Sequence, residues 1–267
     1  MLAAGTDLLV LGGLDASGTS VATVSCANPA TGAVRQVASL DQPTHDAGGA
    51  VLGSKDLVVG GGATGVFDSV QAYRGGCAQA GGATTLSGAL PRPRADLSVA
   101  QGGGTAYVAG GYDGKTLDPA VLATTDGASF RTVGQLPTPV RYAAVAVVGP
   151  YLYVIGGKTS SGSDTAAIQR MDTATGTTTV VGQLPAPVDG AEAVVLGGEI
   201  WVLGGIVGGH PTNDIVSVDP TTHAVSLAGH LPEAVANAGA TVAGGIGWLA
   251  GGEGPQALDA VVRVAVS

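Results

Sequence analysis

A short apolar run ending in Gly-Gly occurs six times in this chain, and few folds accommodate that pattern. The runs are LLVLGG, LVVGGG, AYVAGG, LYVIGG, IWVLGG and GWLAGG. Their first glycines are Gly12, Gly61, Gly110, Gly156, Gly204 and Gly251, spaced 49, 49, 46, 48 and 47 residues apart. A period of that size is the mark of repeat architectures, in which each unit buries its apolar face against its neighbours.

The runs align column by column. Three residues before each doublet stand Leu9, Val58, Tyr107, Tyr153, Trp201 and Trp248, followed by Val10, Val59, Val108, Val154, Val202 and Leu249. Apolar residues at successive positions predict a strand covered on both faces. About a dozen residues earlier lie strands of small residues, AGGAVLG, LSVAQGG, AAVAVVG, AEAVVLG and AGATVAG, suited to a place where several sheets converge. A third strand follows each doublet (SVQAY, IQRMD, IVSVD) and ends in turn chemistry such as Asn28-Pro29 or Asp219-Pro220. Short fourth strands come next: VRQVA, TTLSG, FRTVG, TTVVG and VSLAG. Proline-bearing links separate the units, as in Leu90-Pro91, Leu136-Pro137, Leu184-Pro185 and Leu231-Pro232, because proline cannot continue a ladder. Radial repetition of four-stranded sheets is a propeller.

The strand, Gly-Gly, strand, turn, strand, Leu-Pro-x-Pro pattern resembles the kelch repeat over essentially the whole chain. The resemblance implies an all-β fold, a six-bladed β-propeller of four-stranded antiparallel blades with the termini meeting in an incomplete closing blade. A single propeller is expected over residues 1–267, with blades at about 1–40, 41–90, 91–136, 137–184, 185–231 and 232–267. Where the kelch pattern has a fourth-strand Trp, this chain has Val34, Thr84, Phe130, Thr178 and Val225, and it supplies bulk from the second strand instead. Aligned on Gly12, Met1 falls inside the first strand of blade one, and blade six stops after three strands. The native sequence is therefore expected to begin earlier; otherwise blade six carries an exposed edge.

Composition narrows the function. With 11 basic against 20 acidic residues and a net charge of −9, the chain lacks the cations that phosphate binding needs, so nucleic acid is excluded as a partner. No apolar run reaches the 18 residues of a membrane span, and Met1 to Gly5 has neither the basic start nor the cleavage motif of a signal peptide.

The links and the loops after the doublets are expected on one face, around the central channel. The links supply His45, Asp46, Arg94, Asp96, Arg141, Tyr142, Asp189 and Asn237 to this binding face. Glu192 stands two residues into a first strand where the other blades have Ala, Gly or Ser. Facing the channel it would be a desolvated general acid or base, or else an ion-paired or hydrated group beside Arg141. The loops supply Asp15, Tyr112, Asp113, Lys158 and His210. An Asp before the third strand in five blades (Asp68, Asp118, Asp164, Asp214, Asp259) reads as a turn cap in preference to a cation ring. His45, His210, His223 and His230 have no partner at metal-ligand spacing, so no metal and no cofactor is expected. Thr124-Thr125-Asp126-Gly127 resembles a sialidase Asp-box but occurs once, at a blade turn, and the glycine-rich segments lack the following helix of a phosphate loop.

Cys26 and Cys77 fall in adjacent blades, so either a disulfide or two buried thiols is open. The Ala-, Thr- and Gly-rich, lysine-poor composition suits an exported bacterial propeller, extracellular or in the cell envelope, and favours the bridge. No complete catalytic set is present. The expected function is a non-catalytic module, a monomeric domain of a longer protein, that binds a protein or cell-envelope glycan on the loop face. The enzymatic alternative resembles a kelch-type sialic-acid epimerase, with Glu192 as base and Arg141 or Arg94 holding a sugar carboxylate.

Overall fold

The computed structural model describes residues 1–78, 82–254 and 258–264. Runs of five β-branched, aromatic and small residues, each stopped by glycine or an Asp/Asn turn, form antiparallel strands that meander outward from a central axis. The innermost strands are Leu2–Ala4, Gly48–Leu52, Ser98–Gly102, Ala144–Val148, Glu192–Leu196 and Gly239–Ala243. Each packs on the next, and Leu2–Ala4 also packs on Gly239–Ala243, so six blades close into a ring. Convergence explains the small residues: a Cβ on Gly48 would collide with Leu97 and Val99 of the neighbouring blade.

The second strands run Asp7–Leu11, Lys55–Val59, Thr105–Ala109, Tyr151–Ile155, Glu199–Leu203 and Ile246–Ala250. The third are Thr23–Ala27, Ser69–Tyr73, Ala120–Thr124, Ala167–Asp172, Asp214–Val218 and Val261–Val264. Five outer strands follow, Val34–Ser39, Thr85–Ala89, Arg131–Gln135, Thr178–Gln183 and Val225–His230. Blade six ends at its third strand among the described residues, and the expected end at Ser267 lies outside them. All five outer strands meet their third strand with a β-bulge at one shared position, after Val24, Val70, Val121, Ile168 and Ile215. No helix long and apolar enough to cross a membrane occurs among the described residues.

One register differs from the sequence expectation. In blade two the doublet is Gly60-Gly61, not Gly61-Gly62. Gly60 N–H donates to Ser69 as Gly12, Gly156 and Gly204 donate to their third strands. Leu57, not Val58, therefore shares the column of Tyr107, Tyr153, Trp201 and Trp248. Gly48 pairs with Val59 just as Glu192 pairs with Leu203.

The core is divided among the blade interfaces. Leu57, Val108 and Leu122 pack between blades two and three, Leu152, Val154 and Met171 between three and four, and Ile155, Ile200 and Val202 between four and five. The bulky second-strand column does the work of the missing fourth-strand Trp: Tyr153 is fully buried and its hydroxyl donates to the Pro220 carbonyl of the next blade (3.0 Å). Between blades six and one the buried set shrinks to Leu8, Ala27 and Ala243 among the described residues.

Blade one carries an addition. The segment between the third and outer strands of blade two reaches back, and its Gly82–Ala83 pairs in parallel with Val34–Ser39. The Cys26–Cys77 disulfide fastens this segment, with the two Cα atoms 5.5 Å apart.

Candidate binding site at the channel mouth

Each link turns into its inner strand through one residue in the left-handed region: Asp46, Asp96, Tyr142, Gly190 and Asn237, with φ between 52° and 63°. These residues bond to one another across the blades. Asp96 N–H donates to the Asp46 carbonyl (3.0 Å), Tyr142 to Asp96 (3.0 Å), Gly190 to Tyr142 (2.9 Å) and Asn237 to Gly190 (2.8 Å). A backbone collar thus runs around the channel through blades two to six. Asp, Asn and Gly tolerate this conformation and Tyr does not, so Tyr142 is the strained member. Its hydroxyl sits 3.4 Å from Asp46, and its ring lies against the Arg141 guanidinium.

The loops after the doublets fold back as hairpins on the same face. The link residues bridge to them: His45 to Gly62, Ala95 to Tyr112, Arg141 to Lys158, Asp189 to Ile206 and Ala236 to Glu253. Collar and hairpins enclose a cavity of about 800 Å³, to which Asp15, His45, Asp46, Asp96, Tyr142, Glu192, Asn237 and Glu253 contribute. No lysine or arginine lines it among the described residues.

Glu192 occupies the register held by Gly48, Ser98, Ala144 and Gly239 in the other blades. It is the one charged side chain in that register among the described residues, and Met1 lies beside Gly239 at the same level. Burial pushes its carboxyl up to about 7, opposed by the Met1 ammonium, which favours the ionised form. Burial, followed by the Asp96 charge, likewise raises Asp46, while His45, 3.6 Å away, pulls it down.

The positive residues expected here are held in ion pairs. Arg94 is a correction to the binding face: it is 2% exposed, pairs with Asp118 and donates to the Gly110 and Ala120 carbonyls (3.2 and 2.9 Å). Asp189 is also buried, held at 2.9 Å by Lys158, which bonds Asp164 at 2.6 Å as well. Arg141 is bound by Asp96 (3.0 Å) and flanked by the Tyr112 and Tyr142 rings, each centred 5.3 Å away. Neither arginine lines the cavity with Glu192. His210 stands exposed at its hairpin tip.

The acidic loop residues cap their own turns. Asp15 accepts from Ser17 and Thr19, Asp113 from Lys115 and Thr116, and Asp126 of the Asp-box-like segment from Ala128 and Ser129. These bonds hold all three carboxyls below their ordinary range. Sequence reasoning missed Glu253, whose carboxylate accepts from the Asn237 amide at 2.6 Å. The signal was present, since Glu253 follows the last Gly-Gly as Tyr112 and Lys158 follow theirs.

Residues 103–266, more than half the chain, match the profile of the KLHDC2/KLHL20/DRC7 Kelch-repeats domain. The chain belongs to the kelch-repeat family. No curated protein matches it. Kelch propellers typically mediate protein–protein binding. In this kelch propeller the collar, the hairpins and the acidic cavity share the loop face.

Proposed function

We propose that this kelch propeller binds a protein partner on its loop face and takes a basic segment of that partner into the channel mouth. One observation carries the reading: a cavity of about 800 Å³ lined by Asp15, Asp46, Asp96, Glu192 and Glu253 with no lysine or arginine among its described walls. A Lys or Arg side chain entering it meets Glu192 and Asp46, the two carboxyls that burial desolvates, where a charge-assisted bond is strongest. The sugar-acid reading has less support, because Arg94 is enclosed against Asp118, Arg141 is ion-paired to Asp96, and the acidic mouth repels a carboxylate. The lysine-poor composition and the Cys26–Cys77 bridge support an exported setting.

The test is fluorescence anisotropy with pools of labelled 12-residue peptides, either Lys/Arg-bearing or their Glu-bearing counterparts, with sialic acid as competitor. Basic peptides bind, binding weakens with salt, and Glu192→Gln or Asp46→Asn each lowers affinity severalfold. Binding of the acidic pool, or displacement by sialic acid with basic peptides inert, overturns the reading.

A further inference from the structure

Three departures from the repeat meet on the face opposite the channel mouth. In the third-strand column that pairs with the bulky second-strand residue, blades one, two, three and five carry Cys26, Ala72, Ala123 and Ser217, and blade six the exposed Arg263. Blade four carries Arg170, half-buried. At the start of its second strand stands Tyr151, where the other blades have Asp7, Lys55, Thr105, Glu199 and Ile246. The third departure is in a turn. Blades one, four and five build the same turn, in which Asn28, Asp172 or Asp219 accepts from two N–H groups through Oδ1 and from the fifth residue of the turn through its carbonyl. That fifth residue is Gly32, Gly176 and His223, with φ of 73°, 74° and 60°. Glycine takes this conformation without strain, so blade five keeps His223 against the preference of its backbone.

The three side chains converge across the seam between blades four and five. The Arg170 guanidinium lies over the Tyr151 ring, 4.3 Å from its centre, and its Nη1 reaches His223 Nε2 at 3.1 Å. A guanidinium can only donate, so Nε2 accepts and the ring proton sits on Nδ1. The fork has five N–H donors, and His223 with the Tyr153 hydroxyl engages only part of it. Of the arginines that are not exposed, Arg94 holds Asp118 and Arg141 holds Asp96, whereas Arg170 has no ion pair among the described residues. The titratable groups around Arg170 and His223 are Tyr151, Tyr153, Asp172 and Asp219. Both carboxylates are tied to N–H groups of their own turns, Asp172 to Ala174 and Thr175, Asp219 to Thr221 and Thr222.

We infer that Arg170, Tyr151 and His223 form a binding site for a tetrahedral oxyanion, a sulfate or phosphate group. Stacking on Tyr151 fixes the plane of the Arg170 fork, the geometry suited to such groups. An entering oxyanion accepts from Arg170. His223 Nε2, relieved of its donor, takes one proton from solvent and donates to the anion, so each anion bound brings one proton with it. A doubly charged group matches the two cations so formed, whereas a carboxylate leaves one uncompensated. The strain at His223 then serves recognition rather than folding. This site lies on the face away from the acidic mouth, so each can fail alone.

The test is an NMR titration of the intact, nitrogen-labelled chain with sodium sulfate at about pH 7 and constant ionic strength, read at the His223 ring nitrogens and the Arg170 side chain. Sulfate does not titrate in this range, so passage of the ring from the Nδ1–H tautomer to the doubly protonated form reports the proton taken up at His223. Sulfate and inorganic phosphate saturate the shifts in the millimolar range, and acetate and chloride do not. Phenyl sulfate and phenyl phosphate bind at least as well as the inorganic ions if the natural source is a monoester, and are excluded if it is the free anion; either result supports the site. Arg170→Gln abolishes saturation. His223→Gly weakens binding about fivefold or more yet leaves the Tm unchanged or higher, because glycine suits that turn. Four results overturn the inference: no saturation in the millimolar range, equal shifts with chloride or acetate, saturation without protonation of His223, or a His223→Gly protein that loses several degrees of Tm while binding sulfate as before, which would make the cluster a staple between blades.

Discussion

Arg94 and Glu192 show opposite fates for a charged group brought inward. Arg94 is fully enclosed and its charge is matched by Asp118 and two carbonyls. Arg94→Ala leaves those acceptors stranded, and removal of one partner of a buried pair costs about 3–5 kcal/mol; urea unfolding should show that loss, with peptide binding at the mouth unchanged. Glu192 is matched only in part, by the Met1 ammonium. A carboxyl whose pKa is about 7 when folded, against 4.5 ordinarily, holds its proton more tightly in the folded state. Its contribution to stability is full below pH 4.5 and declines as the pH rises to about 7. Glu192→Gln removes that decline, so a Tm series from pH 4 to 8 flattens relative to the native protein; parallel curves would contradict the assignment. Glu192 was legible in the sequence because its column is otherwise Gly, Ser and Ala. Arg94 was not, because its partner sits in another loop, 24 residues on, and no periodicity marks that pairing.

At the level of elements, the glycine doublet turns each second strand under the next link. Its first glycine is excluded from bearing a side chain by two independent constraints, a left-handed φ and the link carbonyl. The constraints separate in blade six, where φ is 66° at Gly251 and 60° at Gly204, but the carbonyl is present only at Gly204. Gly204→Ala should therefore destabilise by about 1–3 kcal/mol more than Gly251→Ala, the scale of an overpacked site. Equal losses would mean that backbone strain alone sets the requirement. The strands themselves were readable from apolar runs and turn residues. The blade-two register was not, because Gly60-Gly61-Gly62 offers two equivalent doublets and only the hydrogen bond to Ser69 chooses between them. The parallel pairing of Gly82–Ala83 with blade one was likewise hidden, since it joins neighbouring repeats outside the repeat pattern.

Across the whole molecule, six interfaces hold six blades, and they are unequal. Blades four and five share an extensive apolar cluster, whereas blades six and one meet over Leu8, Ala27 and Ala243 among the described residues. A ring closed by one thin interface opens there first. Limited native-state exchange should thus release Leu2–Ala4 and Gly239–Ala243 ahead of Ala144–Val148. The period alone revealed the ring; which seam is weak depended on where the repeats begin to differ. The function rests on the face that the ring organises, with its hairpins at residues 14–20, 62–66, 112–117, 158–164 and 206–211 around an acidic mouth. The most direct measurement is amide hydrogen exchange of the protein with and without its tightest basic peptide. Slowed exchange in those hairpins, weakened in Glu192→Gln at the same peptide concentration, is the predicted result. Protection confined to the opposite-face turns at 28–33, 172–177 and 219–224 would contradict it.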